Sequence, residues 1–437
     1  MNPTINRYFT VWALFIPISS VLVIPSIQGT VPGFLFSFLS PLVVMLAGAN
    51  LRARYITTLA MAFLLWLFFF SGSQLADMMV DYTIRFKGVV LVNPLDRSFV
   101  LRNSLFTQSL YLMVIVLFGV FVSFFYDKSW DKPFIAGGVL MALFGLYEFV
   151  YFLIFGVSGD VISNRGFGSD LGTNDVMSIA FQTVDLAGHT FARIKSLTGE
   201  PSMYVFSIFP YWVYARTVSR SPWPARIIGL SLVLTVSTTA LVGLLCFAAV
   251  KASRMRIDVL RVLLSLLILV LLCYVFRNYI GDFFEHGIID KVNGRNDSGA
   301  ERFGNFMASI EFWASLPLAN QIVGVGFGYI RSTDMASTLL VNNGILGVAL
   351  FSWLFLYPAF RLDSSERSQA LRISLIAVFV MMMMSVPEFA YLAPWAFVGM
   401  AYHRLREYRF AGTSFDMSPP QAAPPVVARH AGQGSRS

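Results

Sequence analysis

The chain has 437 residues, of which 56% are hydrophobic and only 13% carry a charge. Soluble globular domains carry about 25% charged residues, so this composition excludes an ordinary soluble enzyme and predicts a membrane protein. The formal net charge of +8 does not indicate a nucleic-acid partner, because the lysines and arginines concentrate in short loops between apolar runs, as the positive-inside rule predicts.

Apolar runs long enough to cross a bilayer recur along the whole chain. A spanning helix needs about 20 apolar residues, and the clear candidates are 8–24, 31–49, 55–75, 105–126, 134–155, 259–276 and 338–358. Shorter candidates at 202–215, 371–386 and 391–403 each border a proline or a polar turn. No small-residue cleavage site is evident in the first run, which we therefore interpret as a retained span.

The apolar stretch 227–250 has basic clusters on both sides. One long helix would place one of these clusters outside, whereas two short helices turning near Ser237 would keep both inside. The hydroxyls of Thr235-Val236-Ser237-Thr238 can satisfy backbone groups that a break within the membrane frees. We favour two helices over one, which predicts an all-α polytopic membrane protein with about twelve spans and both termini in the cytoplasm.

This topology predicts a membrane domain over residues 1–410 and a disordered cytoplasmic tail over 411–437, rich in Pro, Ala, Gly and Ser. The longer loops, at about 77–104, 156–201 and 277–337, all fall outside, so we expect the protein to work on its outer face. Cys246 and Cys273 lie in apolar segments, and the four histidines are scattered. The sequence therefore predicts neither a disulfide nor a metal site.

The second outer loop ends in Glu200-Pro201-Ser202, directly before a span, with Arg193 and Lys195 a few residues upstream. In one interpretation Glu200 anchors the helix N-terminus, where the dipole favours a carboxylate. In the other, Glu200 accepts the proton of a sugar hydroxyl while the cations hold a phosphate. The chemistry of these residues leaves both interpretations open.

The third outer loop predicts a helix that begins at the capping box Ser298-Gly299-Ala300-Glu301 and ends before Pro317. Its apolar face is predicted to comprise Phe303, Phe306, Met307, Ile310 and Trp313, lying either on the membrane surface or on the bundle. Arg302 lies at its start, and Arg295 just precedes it. Glycines then alternate at 324, 326 and 328 before Tyr329 and Arg331, a pattern that allows a tight turn or a close approach to a ligand.

Several arginines therefore converge on the outer face. Arginine binds phosphate bidentately, and a lipid pyrophosphate is the anion expected at that depth. For Arg193, Arg302 and Arg331 as a set, we favour phosphate binding over pairing with the nearby acidic residues Asp282, Glu285, Asp290 and Asp297. Glu148, inside an apolar run, predicts either a functional group or a buried polar partner.

These elements resemble those of the O-antigen polymerase (Wzy) family. The segment from Arg193 to Glu200-Pro201-Ser202 resembles its R-x-x-G-x-[FY]-x-E-P-S element, with Ser196 where glycine is frequent and Thr198 where an aromatic residue is common. The stretch 298–328 resembles its second element, which has an arginine, an aromatic-containing helix, a proline and G-x-G-x-G. The related O-antigen ligases carry a His-Asn pair where this chain has Thr333-Asp334, which favours a polymerase over a ligase.

The resemblance implies a GT-C-like glycosyltransferase of the bacterial inner membrane that uses neither metal nor cofactor. It would polymerise undecaprenyl-pyrophosphate-linked repeat units into O-antigen, capsule or exopolysaccharide at the periplasmic face. Implied partners are membrane lipid, a flippase and a chain-length regulator, with no nucleic acid. The alternatives are ligase-type glycan transfer and a glycan transporter, although a transporter usually shows internal repeats and short loops. The expected catalytic residues are Glu200, Arg193 and Arg302, and the expected substrate-binding residues are Lys195, Arg295, Arg331 and Tyr329.

Overall fold

A bundle of α-helices with one small antiparallel sheet makes up the described structure. The computed structural model describes residues 2–25, 27–80, 86, 88–96, 98–166, 182–186, 189–252 and 297–415. The strands β1 (Thr183–Leu186) and β2 (His189–Ala192) pair antiparallel, with Thr183 opposite Ala192. The helices, in chain order, are α1 (Pro3–Phe15), α2 (Pro32–Val44), α3 (Ala49–Asp77), α4 (Asn103–Phe125), α5 (Asp131–Phe155), α6 (Pro201–Val218), α7 (Trp223–Val233), α8 (Thr238–Ala252), α9 (Asp297–Ser315), α10 (Leu318–Val323), α11 (Met335–Arg361), α12 (Glu366–Ser385) and α13 (Leu392–Phe415).

Five helical segments are long and apolar enough to cross a membrane: α3, α4, α5 with the turn before it, α11 and α12. Their outer surfaces are apolar, as lipid requires. On α3, for example, Phe63 is 58% exposed and Leu64 is 62% exposed. The protein is therefore membrane-embedded and all-α, as the composition predicted.

The bundle has two ends, which we name by their connections. The site end carries the described residues of the connections from α3 to α4, from α5 to α6, from α10 to α11 and from α12 to α13. The opposite end carries residues 45–48, 126–130, 219–222 and 362–365. At the opposite end, Asp131 forms an ion pair with Arg367 and accepts hydrogen bonds from the hydroxyls of Tyr126 and Tyr214. These contacts fasten α5 to α6 and α12.

The first two helices are shorter than the apolar runs that predicted them. Helix α1 ends at Phe15 instead of reaching residue 24, because Pro17 follows and lacks the N–H that would continue the helix. Helix α2 ends at Val44 instead of 49 and contains Pro41. Thirteen-residue helices rise about 20 Å, so the predicted bounds of these two helices were too long.

The stretch 227–250 forms two helices, as the charge pattern predicted. Helix α7 ends at Val233, α8 begins at Thr238, and Val236 between them adopts a φ of 46°. Helix α7 contacts α5 and α6, whereas α8 contacts α6 and α12. The side chain of Thr235 donates to the carbonyl of Leu232 at 2.7 Å, and its backbone N–H donates to the same carbonyl at 3.3 Å, so the hydroxyl reinforces the end of α7 at the break. The predicted span at 259–276 lies outside the described residues.

The predicted helix of the third outer loop is α9, which ends at Ser315, before Pro317. On the face predicted to be apolar, Phe303 is 67% exposed and Met307 is 38% exposed, so these two side chains do not pack on the bundle. Phe312 packs instead in a cluster with residues of the following glycine turn and α11. Helix α9 therefore lies against the bundle at the site end. At the C-terminus, α13 continues to Phe415, past the predicted start of the tail at 411, and residues 416–437 lie outside the described part.

Candidate functional site

Six charged side chains from several segments of the chain lie at the site end. These segments are five: the loop after α5, the segment between β2 and α6, helix α9, the turn between α10 and α11, and the connection between α12 and α13. We call them the arginine–glutamate cluster: Arg165, Arg193, Arg302, Arg331, Glu200 and Glu388. Three of the four arginines were predicted from the sequence.

Arg193 is held in place by hydrogen bonds to Gln182 and to the backbone of Thr235. Its backbone N–H donates to the carbonyl of Gln182 at 2.9 Å, and its guanidinium donates to Gln182 Oε1 at 2.8 Å and to the carbonyl of Thr235 at 3.2 Å. Thr235 lies at the break between α7 and α8. The hydroxyl-rich break and the arginine motif, which were identified separately in the sequence, therefore meet at one place.

The charges around Arg193 link the three residues predicted to be catalytic. Burial lowers the pKa of the Arg193 guanidinium, the charge of Arg302 lowers it further, and the carboxylate of Glu200 opposes both effects. Arg302 is also tied to the turn before α11, because Thr333 Oγ1 donates to the Arg302 carbonyl at 3.4 Å. Arg193, Arg302 and Glu200 thus share one electrostatic environment.

Glu200 stands at the N-cap position of α6, with extended backbone angles of φ −147° and ψ 161°. Its side chain makes no capping hydrogen bond to the helix. Instead the carboxylate accepts a hydrogen bond from Ser202 Oγ at 3.2 Å. The carboxylate therefore does not cap the backbone of α6, although it stands at the helix N-terminus, where the dipole favours a negative charge.

Arg331 and Glu388 form an ion pair, and Glu200 also acts on Arg331. The charge of Glu388 raises the pKa of Arg331 against the effect of burial, and Tyr391 and Glu200 add to this rise. The Arg331 side chain is 42% exposed and that of Glu388 is 12% exposed. Glu200 therefore acts on Arg331 as well as on Arg193, which connects the two halves of the cluster.

Two residues of the cluster, Glu388 and Arg165, were not predicted. Burial and then Glu388 raise the pKa of Tyr391, while Arg165 and Arg331 lower it, which brings both missed residues to this site. Arg165 also donates to the carbonyl of Ser19 at 2.9 Å. Arg165 lies in the second predicted outer loop. Glu388 lies in the short connection between the last two predicted spans, which the predicted topology also places on the outer face. Nothing in the local sequence indicated that they meet.

Lys195, expected to bind substrate, is instead buried among carboxylates. It is 4% exposed, forms an ion pair with Asp160, and lies 3.6 Å from Glu148 Oε1. Burial would raise the pKa of Asp160, but Lys195 holds it below its ordinary value. The ammonium group is therefore occupied within the protein, and Glu148 has the buried partner that its place in an apolar run suggested.

Tyr329, also expected to bind substrate, is fully buried, and its hydroxyl donates to Gln74 Oε1 at 2.9 Å. It fastens the glycine turn to α3. Arg295 lies outside the described residues.

The glycine turn presents Arg331 by packing tightly on α11. Gly324 has a φ of 81°, and a Cβ built there would lie 2.2 Å from the backbone carbonyl carbon of Asn342. The Oδ1 atom of Asn342 accepts a hydrogen bond from the N–H of Ile330, and its Nδ2 atom donates one to the C=O of Ile330, each at 2.9 Å. The close approach that the glycines allow is therefore to the protein's own helix, and it holds the residue next to Arg331.

A large apolar groove opens beside Arg331 and Glu388. It has a volume of about 1040 Å³ and lies between α3, α4, α11 and α13. Its lining continues to Ser123 and Arg406 near the opposite end of the bundle. The arginine–glutamate cluster thus adjoins an apolar passage along the bundle.

Within the part of the chain that the structure describes, no three or more His, Cys, Asp or Glu side chains group to hold a metal ion. No family model, no curated protein and no solved structure matches this chain. Its resemblance to glycan polymerases therefore rests on the sequence motifs alone.

Proposed function

We propose that this protein is a glycosyltransferase that polymerises lipid-linked oligosaccharide repeat units. It lies in the bacterial inner membrane with about twelve spans in a GT-C-like arrangement, and its site end faces the periplasm. The donor is a growing glycan on undecaprenyl pyrophosphate, and the acceptor is a hydroxyl of an incoming lipid-linked repeat unit. The product is O-antigen, capsule or exopolysaccharide.

The observation that supports this proposal most is that Arg193, Arg302 and Arg331, from separate segments, all interact electrostatically with one another or with Glu200. A diphosphate leaving group needs several cations, and arginine suits it because the guanidinium donates bidentately to phosphate oxygens. Glu200 contributes a carboxylate that makes no capping hydrogen bond to α6. A cationic site with one available carboxylate matches this transfer reaction.

In the proposed reaction, the acceptor oxygen forms a bond to the anomeric carbon while the bond from that carbon to the pyrophosphate oxygen breaks. The electron pair leaves with the pyrophosphate, whose growing negative charge Arg193, Arg302 and Arg331 stabilise. Glu200 takes the proton of the attacking hydroxyl. Lys195 and Tyr329 support the site through the buried contacts described above and do not touch substrate.

The experiment uses a strain that lacks its own polymerase. Glu200→Gln and Arg302→Ala should leave single repeat units that are not extended, because removal of a general base alone costs about 10²–10⁴-fold in rate. The matched controls are Glu366→Gln and Arg361→Ala at the opposite end of the bundle, which should give full-length polymer.

Polymer length is read on a gel, and expression is checked by immunoblot. Full-length polymer from both site variants at normal expression would contradict the proposal. Accumulation of repeat units on the cytoplasmic face would instead indicate a transporter, and loss of transfer to lipid A with normal polymer would indicate a ligase.

A further inference from the structure

We propose that the apolar groove between α3, α4, α11 and α13 binds the hydrocarbon tail of an isoprenoid diphosphate, with the diphosphate at the arginine–glutamate cluster. The identity of the head group rests on the proposed function. The location of the tail rests on the shape, lining and charge of the groove.

The groove has the length of a bilayer's apolar core. Its lining follows α4 from Leu105 to Ser123, which is about 27 Å at 1.5 Å per residue, against about 30 Å for the hydrocarbon thickness. Its volume of about 1040 Å³ lies just above the range of roughly 300–1,000 Å³ for pockets that hold compact small molecules. An extended chain, lying along the bundle axis, fits these dimensions.

The lining is hydrocarbon and is open to an occupant. Met113 is 50% exposed, Leu110 is 51% exposed and Trp353 is 61% exposed. Two polar side chains of the lining are used within the protein, since Trp66 Nε1 donates to Ser109 Oγ at 3.0 Å and Ser109 Oγ donates to the Leu105 carbonyl at 2.6 Å. The walls therefore favour an apolar chain.

The charges at the two ends give the occupant a direction. At the site end, the cluster has four arginines and two glutamates, an excess of positive charge that suits an anionic head group. At the opposite end, Arg406 donates to the Ser123 carbonyl at 3.1 Å and its guanidinium lies 3.6 Å from the centre of the Phe124 ring. That arginine is engaged by α4, so the head group lies at the site end.

An isoprenoid diphosphate matches this combination better than a bilayer phospholipid does. It has one long tail for one passage, whereas a phospholipid has two acyl chains. Its head carries two linked phosphates, which several arginines can bind bidentately at once.

The first test is photolabelling of the full-length, unmodified protein in phosphatidylcholine nanodiscs. The probe is undecaprenyl pyrophosphate with a diazirine in its tail. We expect labelled peptides from α4 and α11, with competition by unlabelled undecaprenyl pyrophosphate and none by phosphatidylglycerol. Labelling confined to α5 or equal competition by phosphatidylglycerol would overturn the proposal. An absence of label on α4 and α11, as expected if another segment of the chain fills the groove, would also overturn it.

The second test fills the groove. Leu350 lines it and is 38% exposed, whereas Leu140 on α5 is 54% exposed and lies away from it. Leu350→Trp should raise KM for the undecaprenyl-linked repeat unit about tenfold, the loss expected when two methylene groups lose apolar contact. The value of kcat should not change, and the matched control Leu140→Trp should behave like the unmodified protein.

A repeat unit on a ten-carbon prenyl carrier separates the tail from the head. We expect Leu350→Trp and the unmodified protein to use this short carrier equally, and an equal loss with both carriers would contradict the tail assignment. Met113→Trp serves as a second groove-filling variant. If the unmodified protein polymerises neither carrier, the proposed function fails, whereas photolabelling still decides whether the groove binds the tail.

Discussion

At the scale of single residues, neighbouring charges in one motif have different tasks. Arg193 interacts with Glu200 and Arg302, whereas Lys195, two residues later, pairs with Asp160 and lies near Glu148. The sequence shows two cations before an acidic residue and cannot distinguish them. Their difference comes from Glu148 and Asp160, which lie 47 and 35 positions away and were matched to Lys195 only by the fold.

The buried ion group gives a prediction about stability. Lys195→Met should lower the free energy of unfolding by about 3–5 kcal/mol, because it leaves two buried carboxylates without their cation. The midpoint of thermal unfolding in detergent measures this loss. The triple variant Lys195→Met, Asp160→Asn, Glu148→Gln removes the charges together and should recover most of the stability. An unchanged midpoint for the single variant would show that the ion group does not stabilise the fold.

The pair Arg331–Glu388 gives a prediction about affinity. Since Glu388 occupies the guanidinium that a diphosphate needs, Glu388→Gln should strengthen the binding of inorganic pyrophosphate about two- to fivefold, the range expected for a partly exposed ion pair. Isothermal titration of the detergent-purified protein measures the change.

Arg331→Ala serves as the control for this competition. In the double variant Arg331→Ala, Glu388→Gln, the gain from Glu388→Gln should disappear. Weaker pyrophosphate binding by Glu388→Gln alone would mean that Glu388 supports the site and does not compete for Arg331.

At the scale of elements, the sequence predicted local features and missed those set by distant contacts. The end of α9 and the break between α7 and α8 follow from a proline and from hydroxyl residues, which all act within a few positions. The lengths of α1 and α2 were overestimated because hydropathy counts proline as neutral, whereas Pro17 ends α1. The buried face of α9 depends on Phe86 and Tyr329 across the fold.

The glycine turn between α10 and α11 gives a matched pair of variants. In Gly324→Ala, alanine would have to adopt a φ of 81°, and its Cβ would lie 2.2 Å from the backbone of Asn342. The variant should therefore displace the turn and reduce both stability and polymerisation. Gly304→Ala on α9 meets nothing within 4 Å, and should stabilise that helix by about 0.5–1 kcal/mol. Unfolding midpoints measure both effects, and a neutral Gly324→Ala would contradict the packing described here.

At the scale of the whole molecule, the account depends on which end of the bundle faces outward. The basic residues between apolar runs predicted the orientation. The structure brings together two of the segments that were predicted to lie outside, since the backbone N–H of Val92 donates to the carbonyl of Tyr329. The sequence could assign segments to a side because charge acts on each loop separately. It could not predict which side chains meet there, because that depends on packing.

Cysteine labelling tests the orientation directly. In a background with Cys246 and Cys273 replaced by alanine, Asp96→Cys in the α3–α4 connection should react with a membrane-impermeant maleimide in cells whose outer membrane alone is permeabilised. Ser364→Cys in the α11–α12 connection should react only after the inner membrane is opened. The reverse pattern would put the arginine–glutamate cluster in the cytoplasm, where the proposed substrate is not polymerised.

The most direct measurement is polymerisation by the purified protein with undecaprenyl-pyrophosphate-linked repeat units as the sole substrate. The account predicts a ladder of longer glycans, one undecaprenyl pyrophosphate released for each linkage formed, and loss of both products in Glu200→Gln. Unextended repeat units from the unmodified protein, or an equal ladder from Glu200→Gln, would contradict it.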